Sequence, residues 1–148
     1  GLVRDTIHDA FMTGPEHIVE LTHGYTYSAH PLACAAGLAT LDIYRDEKLF
    51  ERANKLESKF ADAIMSLKGL PNVLDIRTIG LTAGLDLAPS ADGVGKRGFA
   101  GLNSAFHDND IMLRAVGDTL ALTPPLIVTE DQIGEIADKV AKVIRAVA

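Results

Sequence analysis

Two segments of the chain carry apolar residues at helical spacing. In the first, six apolar residues fall three or four positions apart: Leu49, Ala53, Leu56, Phe60, Ile64 and Leu67. Charged residues lie largely on the other positions of this segment. In the second, the same spacing follows a capping box formed by Thr129 and Gln132: Ile133, Ile136, Val140, Val143 or Ile144, and Val147. The pattern therefore predicts two amphipathic helices, with Gly69-Leu70-Pro71 ending the first.

Between these two helices the periodicity changes from helical to alternating. Val73 to Ile79 is typical of a strand, and residues 81–87 alternate between apolar and polar or small side chains. Farther along, Ile111 to Arg114 and Thr119 to Leu122 flank a turn at Val116-Gly117-Asp118, as the strands of a hairpin would. The pattern predicts two adjacent strands followed by a hairpin.

Two further segments are compatible with helices. From Pro31 to about Tyr44, apolar and small residues recur near the helical period, and the small residues permit close packing. A short helix is predicted from Phe99 to Asp108, with Phe99, Leu102 and Phe106 on one face. The order of helices, strands and helices indicates an α+β fold, in which a small, mostly antiparallel sheet is covered by helices on one face.

The composition is typical of a soluble intracellular protein. Fourteen basic and 20 acidic residues give a net charge of −6, which argues against nucleic acid or an anionic membrane as a partner. The longest apolar runs, Leu120 to Val128 among them, are too short to span a bilayer. The single cysteine, Cys34, excludes an internal disulfide and is typical of a reducing compartment, so we expect a cytoplasmic location and a buried, unreactive thiol.

The segment from His23 to Ala36 concentrates hydrogen-bond donors ahead of a helix. Thr26 and Ser28 supply hydroxyls, and the backbone amides of Tyr25 and Thr26 can point at the same anion. Phosphate is the ligand that this donor set favours. The alternative is purely structural, because turns rich in serine, threonine and tyrosine commonly precede helices and Pro31 suits a first helical position. Composition alone favours the structural alternative.

A second group with chemical content is the segment from Ile111 to Asp118, in which Arg114 ends an apolar strand just before a tight turn. The planar guanidinium of arginine matches a carboxylate in a bidentate manner, which indicates a site for a substrate carboxylate. Alternatively, Arg114 pairs with Asp118 or faces solvent, and surface pairs of that kind contribute little to stability. The residues alone favour this second interpretation.

Two other patterns are weaker. Gly93 to Gly98 has the glycine spacing of a dinucleotide-binding loop, but residues 89–92 separate it from the preceding strand, and we interpret it as a flexible surface loop. The five histidines show no metal-ligand spacing, so no metal site is predicted.

Residues 23–37, HGYTYSAHPLACAAG, resemble the segment that follows the catalytic lysine in fold-type I, class III aminotransferases. The HGYTYSAHP core is most similar to the omega-amino-acid:pyruvate branch, which uses pyridoxal 5′-phosphate. The resemblance implies that Tyr25 and Thr26 bind the phosphate of the cofactor held by the neighbouring subunit of a homodimer. It also gives Arg114 a role, because a similar segment of these enzymes has an arginine that receives the substrate carboxylate and swings aside for substrates that lack one.

The resemblance has implications for domain organisation as well. Residues 31–148 would form the small C-terminal domain of such an enzyme, and residues 1–30 would return from its cofactor-binding large domain. The lysine that forms a Schiff base with the cofactor would lie upstream of His23, and none of the seven lysines present matches it. We therefore expect a C-terminal fragment with no catalytic residue of its own and no activity when isolated.

For the complete parent protein, the resemblance implies transfer of an amino group from an amine or omega-amino acid to pyruvate. Two alternatives remain open. One is another class III branch, such as transamination of ornithine, gamma-aminobutyrate or a diamino acid with 2-oxoglutarate. The other is a stand-alone α+β interaction module that docks a partner through its first thirty residues.

Overall fold

A computed structural model describes residues 2–14 and 24–148 of the chain, so His23 of the candidate phosphate segment lies outside the described residues. The chain divides into two compact units, residues 1–40 and residues 41–148. The first unit contains helix α1 (Asp5–Phe11), a pair of tight turns over residues 25–30, and the start of helix α2 (Pro31–Asp46).

Helix α2 begins at Pro31, the position predicted, because proline has no amide hydrogen to lose there and its backbone angle suits a first helical turn. No residue of α2 is buried. The prediction of a buried Cys34 is therefore wrong, and the thiol is exposed. Its helix is rich in alanine and small residues, and none of the described residues covers that face deeply enough to bury it.

The second unit has a four-stranded antiparallel sheet and three helices that pack together. Its elements in chain order are α3 (Leu49–Met65), β1 (Val73–Ile79), β2 (Thr82–Leu87), α4 (Lys96–Asp108), β3 (Arg114–Val116), β4 (Thr119–Leu122) and α5 (Glu130–Ala146). The strand order across the sheet is β1-β2-β4-β3, with every neighbouring pair antiparallel. The predicted α+β fold is confirmed.

One face of the sheet forms the core against α3, α4 and α5. Alternate residues of β2 and β4 point into this core: Ala83, Leu85, Leu87, Leu120 and Leu122. The helices contribute the stripes that the sequence pattern predicted, including Phe60 and Ile64 from α3. Helix α5 begins with the predicted capping box, in which Thr129 Oγ1 accepts from the Gln132 amide at 3.2 Å and the Thr129 amide donates to Gln132 Oε1 at 2.9 Å.

Helix α4 differs from the prediction in its buried face. Phe99 and Phe106, which were placed together on one face, are mostly exposed, whereas Gly98, Gly101 and Ala105 are buried. A methyl group added at Gly101 would lie 3.2 Å from a Leu120 side-chain carbon, so the helix backbone approaches the sheet closely. Close approach of this kind requires small residues on the buried face of the helix. A pattern of large apolar residues therefore does not predict that face.

The first strand of the predicted hairpin also lies later in the chain than expected. Arg114 begins β3 instead of ending it, and pairs with Ala121 of β4. In this register Ile111 and Asp110 would lie opposite Pro124 and Pro125, which have no amide hydrogen to donate. The ladder therefore begins at Arg114.

Replacement of Phe60 by alanine tests the position of the core. The Phe60 side chain has no exposed surface, so the substitution removes buried apolar contacts and leaves a cavity. We expect the free energy of unfolding to fall by about 3–5 kcal/mol. The matched control is Phe99→Ala, because Phe99 is 61% exposed and we expect a change below about 1 kcal/mol. Urea denaturation of the chain measures both, and equal losses would contradict this core.

Candidate functional site

The structure places the two candidate regions in different units, so each is described by itself. Arg114 lies in the second unit, at the start of the edge strand β3. Its side chain is exposed, while Ala115 next to it packs against the core. Since side chains alternate along a strand, Arg114 points from the sheet face opposite α3, α4 and α5. We call this surface the open face.

A row of four residues crosses the open face at the level of Arg114. The strand register pairs Arg114 with Ala121, Ala121 with Gly84, and Gly84 with Arg77. Two arginines therefore lie at opposite ends of the row, about 14 Å apart at three strand spacings. The two residues between them are a glycine and an alanine, and the Arg77 guanidinium lies over the glycine, since a Cβ at Gly84 would be 3.4 Å from Arg77 Nη2.

Arg77 is occupied by neighbouring carboxylates. Both terminal nitrogens donate to Asp86, with Nη2 at 2.9 Å from Oδ1, and Nη1 also donates to Asp75 Oδ2 at 3.2 Å. The Thr119 hydroxyl donates to Asp86 Oδ1 at 2.7 Å. The hydrogen bonds from Arg77 and Thr119 lower the pKa of Asp86, and the bond to Asp86, followed by that to Asp75, raises the pKa of Arg77. Arg77 is thus held within an ion-pair network.

Arg114 has no such partner. Its side chain makes no hydrogen bond or ion pair with any of the described residues. The alternative in which Arg114 pairs with Asp118 is not observed, because both Asp118 carboxylate oxygens accept backbone hydrogen bonds from α4 and its preceding residue. An exposed guanidinium on an ordered strand can bind an external carboxylate through two parallel hydrogen bonds. The substrate-binding role predicted for Arg114 remains a prediction that this geometry permits.

Asp118 connects the β3–β4 turn to the beginning of α4. The Gly95 amide donates to Asp118 Oδ2 at 2.6 Å, and the Gly98 amide donates to Oδ1 at 3.0 Å. These two bonds lower the pKa of Asp118, because they stabilise the charged carboxylate at the positive end of the helix. Asp118 therefore caps α4 from across the chain.

The glycine-rich segment from Gly93 to Gly98 contains the start of α4, so its interpretation as a flexible surface loop is partly wrong. Residues 96–98 are the first turn of α4, and Gly98 is buried. The Arg97 side chain donates from Nε to the Ala88 carbonyl at 2.8 Å and also donates to the Val147 carbonyl. A carboxylate of the protein itself occupies the position where a dinucleotide-binding loop would hold phosphate, so the geometry does not favour that ligand.

The candidate phosphate segment lies in the first unit and is exposed. The Ser28 amide donates to the Tyr25 carbonyl at 3.0 Å, and the His30 amide donates to the Tyr27 carbonyl at 3.2 Å. Tyr25 has φ of 71°, a left-handed conformation that side-chain-bearing residues adopt infrequently and that is often found at ligand-binding turns.

The donors of this segment fit a phosphate. Neither the hydroxyl nor the amide of Thr26 is bonded to another residue of the described part of the chain. Between Gly24 and Leu41 the sequence has no acidic side chain, so nothing in that stretch repels an anion. It has no lysine or arginine either, and the segment therefore supplies one side of an anion site, with the balancing positive charge coming from elsewhere.

Sequence reasoning missed the Arg77, Asp86 and Thr119 network. Its signal was available, since a two-residue turn at Gly80-Leu81 pairs Ile79 with Thr82 and so places Arg77 diagonally across from Asp86. In the described residues, no group of three or more histidine, cysteine, aspartate or glutamate side chains is arranged to hold a metal ion. Among the helices described here, none combines the length and the apolar character needed to cross a membrane.

Comparison with known proteins gives a consistent result over most of the chain. A model of the aminotransferase class-III family matches residues 2–144. An omega-aminotransferase of Caulobacter vibrioides is 45% identical over 93% of this chain and 31% of its own length. A beta-alanine–pyruvate aminotransferase of Pseudomonas aeruginosa is 38% identical over 96% of this chain and 32% of its own length.

Other class members and solved structures also match. A probable mitochondrial gamma-aminobutyrate transaminase 3 of Oryza sativa subsp. indica is 31% identical over 98% of this chain and 29% of its own length. The crystal structure of the omega transaminase of Pseudomonas jessenii in complex with PMP superposes with a TM-score of 0.74 and 32% identity, covering 86% of this chain and 29% of that one. The chain thus spans about a third of the length of the curated relatives that it matches.

Replacement of Gly98 by alanine tests the contact between α4 and the β3–β4 turn. An added methyl carbon would lie 2.0 Å from the Gly117 carbonyl oxygen, so the backbone of the turn must move. We expect the free energy of unfolding to fall by about 3 kcal/mol. The control is Gly134→Ala on α5, where nothing lies within 4 Å and the helix should become more stable by up to about 1 kcal/mol. Thermal or urea unfolding distinguishes the two, and a neutral Gly98→Ala would contradict the contact.

Proposed function

The chain belongs to the aminotransferase class III family, and on that premise we propose that it is part of a pyridoxal 5′-phosphate-dependent omega-amino-acid:pyruvate transaminase. The complete protein would transfer an amino group from an amine or omega-amino acid to pyruvate. The family match over residues 2–144 favours this hypothesis over a stand-alone interaction module. When bound, the cofactor carries the amino group between donor and acceptor and accepts the electron pair released at the reacting carbon.

One observation carries the proposal for substrate binding: of the two arginines in the row across the open face, Arg77 is paired with carboxylates, whereas Arg114 has no partner among residues 2–14 and 24–148. A substrate carboxylate binding to Arg77 would have to displace Asp86, which is already hydrogen-bonded and is further held by Thr119. At Arg114, none of the described residues would have to be displaced. Alanine and pyruvate each carry a carboxylate next to the reacting carbon, so we expect Arg114 to bind both substrates.

Tyr25 and Thr26 would hold the cofactor through its phosphate. The Thr26 hydroxyl and amide supply two donors to the phosphate oxygens, and the exposed ring of Tyr25 lies beside them in sequence. This segment lacks lysine and arginine, so we expect a second protein surface to carry the balancing positive charge. We propose that this surface belongs to the neighbouring subunit of a homodimer, where Thr26 would act in trans.

A second candidate function has its own support. Relatives named gamma-aminobutyrate transaminases match 97–98% of the chain at 29–31% identity, so an enzyme acting on gamma-aminobutyrate is the alternative. The higher identities to proteins named for omega-amino acids or beta-alanine with pyruvate, 37–38%, favour pyruvate as the acceptor. Half-reaction assays of the complete protein with pyruvate and with 2-oxoglutarate distinguish these two.

Replacement of Arg114 by leucine tests carboxylate binding in the complete protein. Loss of a bidentate charged hydrogen-bond pair should lower kcat/KM for pyruvate about 10- to 100-fold, mainly through KM. The control is Arg77→Leu, which removes an arginine from the same face that is already paired with protein carboxylates and should change kcat/KM for pyruvate less than about threefold. Steady-state assays measure both. Equal losses, or a larger loss for Arg77→Leu, would contradict the assignment of Arg114.

Replacement of Thr26 by alanine tests the phosphate site. The variant lacks a hydroxyl donor to a charged oxygen, so we expect the dissociation constant for pyridoxal 5′-phosphate to rise about tenfold or more. Thr40→Ala is the matched control, because the Thr40 hydroxyl already donates to the Ala36 carbonyl at 2.9 Å. Cofactor retention after dialysis of the complete protein measures the difference. If both variants retain the cofactor like the unmodified protein, Thr26 is not a phosphate ligand.

A further inference from the structure

We propose that Asp118 is a positioning residue for recognition of the substrate carboxylate. By anchoring the β3–β4 turn to the start of α4, it holds the backbone of Arg114 in place. Because its carboxylate is bonded there, Asp118 also does not compete with the substrate for the Arg114 guanidinium. This inference rests on the proposed function, because it concerns the carboxylate that Arg114 would bind. Asp118 itself does not touch the substrate.

The anchor acts on both the side chain and the backbone of Asp118. The carboxylate accepts from the Gly95 and Gly98 amides at 2.6 and 3.0 Å. The backbone carbonyl of the same residue accepts from the Leu87 amide at 3.0 Å, which extends the pairing of β4 with β2. Asp118 is therefore tied at once to a helix start and to an inner strand of the sheet.

Arg114 depends on this anchor because its own strand is weakly held. β3 has three residues and lies at the edge of the sheet, where β4 is its neighbouring strand. The connection from β3 to β4 is the pair Gly117-Asp118, in which Gly117 has φ of 59°, a conformation that glycine adopts without strain. A displacement of Asp118 is thus transmitted over a short distance to Val116 and then to Arg114.

Packing at the turn supports the same conclusion. Gly98 leaves space for the Gly117 carbonyl, since a methyl group at position 98 would lie 2.0 Å from that oxygen. The carboxylate of Asp118 and the backbone of Gly117 therefore meet the first turn of α4 together. Without the carboxylate, the Gly95 and Gly98 amides at the start of the helix would lose their acceptor, and the turn would lose these polar contacts with the start of α4.

The charge of Asp118 matters as well as its position. Arg114 and Asp118 belong to the same hairpin, and an aspartate released from α4 would become an internal anion close in sequence to the guanidinium. The carboxylate is held by the amides of Gly98 in α4 and of Gly95 just before it, and α4 packs on the sheet face opposite the open face. While this holds, Arg114 keeps its donors for an external carboxylate. The anchor thereby explains why the hairpin contains both an arginine and an aspartate without an ion pair between them.

The test uses the complete cofactor-loaded protein with two amino donors, L-alanine, which has a carboxylate, and benzylamine, which has none. Asp118→Ala removes the anchor, and Asp118→Asn keeps the side-chain shape but not the charge, so the second variant serves if the first does not fold. The matched control is Asp138→Asn, an exposed position on α5. Single-turnover rates over a range of concentrations give the apparent affinity and the maximal rate for each donor.

We expect the Asp118 variants to raise the half-saturating concentration of L-alanine about tenfold or more, because small displacements of a binding group are costly. Their rates with benzylamine should stay within about twofold of the unmodified protein, as should both donors with Asp138→Asn. Equal losses for L-alanine and benzylamine would show a merely structural role and overturn the inference.

Hydrogen–deuterium exchange of the same proteins provides a readout that does not depend on turnover. Backbone amides of residues 112–117 should exchange faster in Asp118→Asn than in Asp138→Asn or the unmodified protein. Unchanged exchange there would overturn the inference even if the enzyme is active. Failure of the unmodified protein to react with either donor would instead refute the proposed function, and the exchange result would still decide whether Asp118 anchors the hairpin.

Discussion

The contact between the start of α4 and the β3–β4 turn determines the arrangement of the second unit. Gly98 lies so close to the Gly117 carbonyl that no side chain fits at position 98, and the Asp118 carboxylate accepts from the Gly95 and Gly98 amides beside that contact. This arrangement starts the helix at Lys96, orients its small-residue face toward the sheet, and holds the edge hairpin on which Arg114 lies. The interaction requires specific residues at two places in the sequence, Gly98 in α4 and the Gly117-Asp118 turn about twenty residues later.

Two arginines on the open face differ in whether their guanidinium groups are paired with carboxylates of the protein. Arg77 and Arg114 project from the same sheet face, yet Arg77 is paired with Asp86 and Asp75 while Arg114 is unpaired within the described residues. The folding of the unit therefore neutralises one cation and leaves the other available. In the proposed transaminase, which would bind amino acids and also amines, an available guanidinium on the sheet is a group that could distinguish substrates with a carboxylate from those without.

Much of this fold follows from sequence pattern. The amphipathic helices α3 and α5, the strand Val73–Ile79 and the capping box at Thr129 depend on local periodicity and local hydrogen bonds, and they were predicted. The start and buried face of α4, the position of Arg114 at the beginning of β3, and the exposure of Cys34 depend on which other segments are adjacent. Local patterns carry no information on a helix capped by a residue twenty positions away or on a strand whose pairing is ended by prolines in its partner.

The candidate site shows the same division. Arg114, Tyr25 and Thr26 were identified from the sequence because their segments resemble those of a family, and their roles remain proposals. The Asp86 pairing that distinguishes Arg77 from Arg114, and the anchoring of Asp118, became visible with the strand register and the α4 contact. Both interactions depend on the tertiary structure. They determine whether a functional residue is unpaired and how it is positioned, whereas the sequence resemblance identifies the residue itself.

A crystal structure of the complete protein with pyruvate or a carboxylate-bearing inhibitor tests the central claim most directly. The account predicts that both terminal nitrogens of Arg114 lie about 2.7–2.9 Å from the two carboxylate oxygens, while Asp118 stays bonded to Gly95 and Gly98 and Arg77 stays paired with Asp86. A substrate carboxylate bound to Arg77, or Arg114 paired with a carboxylate of the protein while substrate is present, would contradict it.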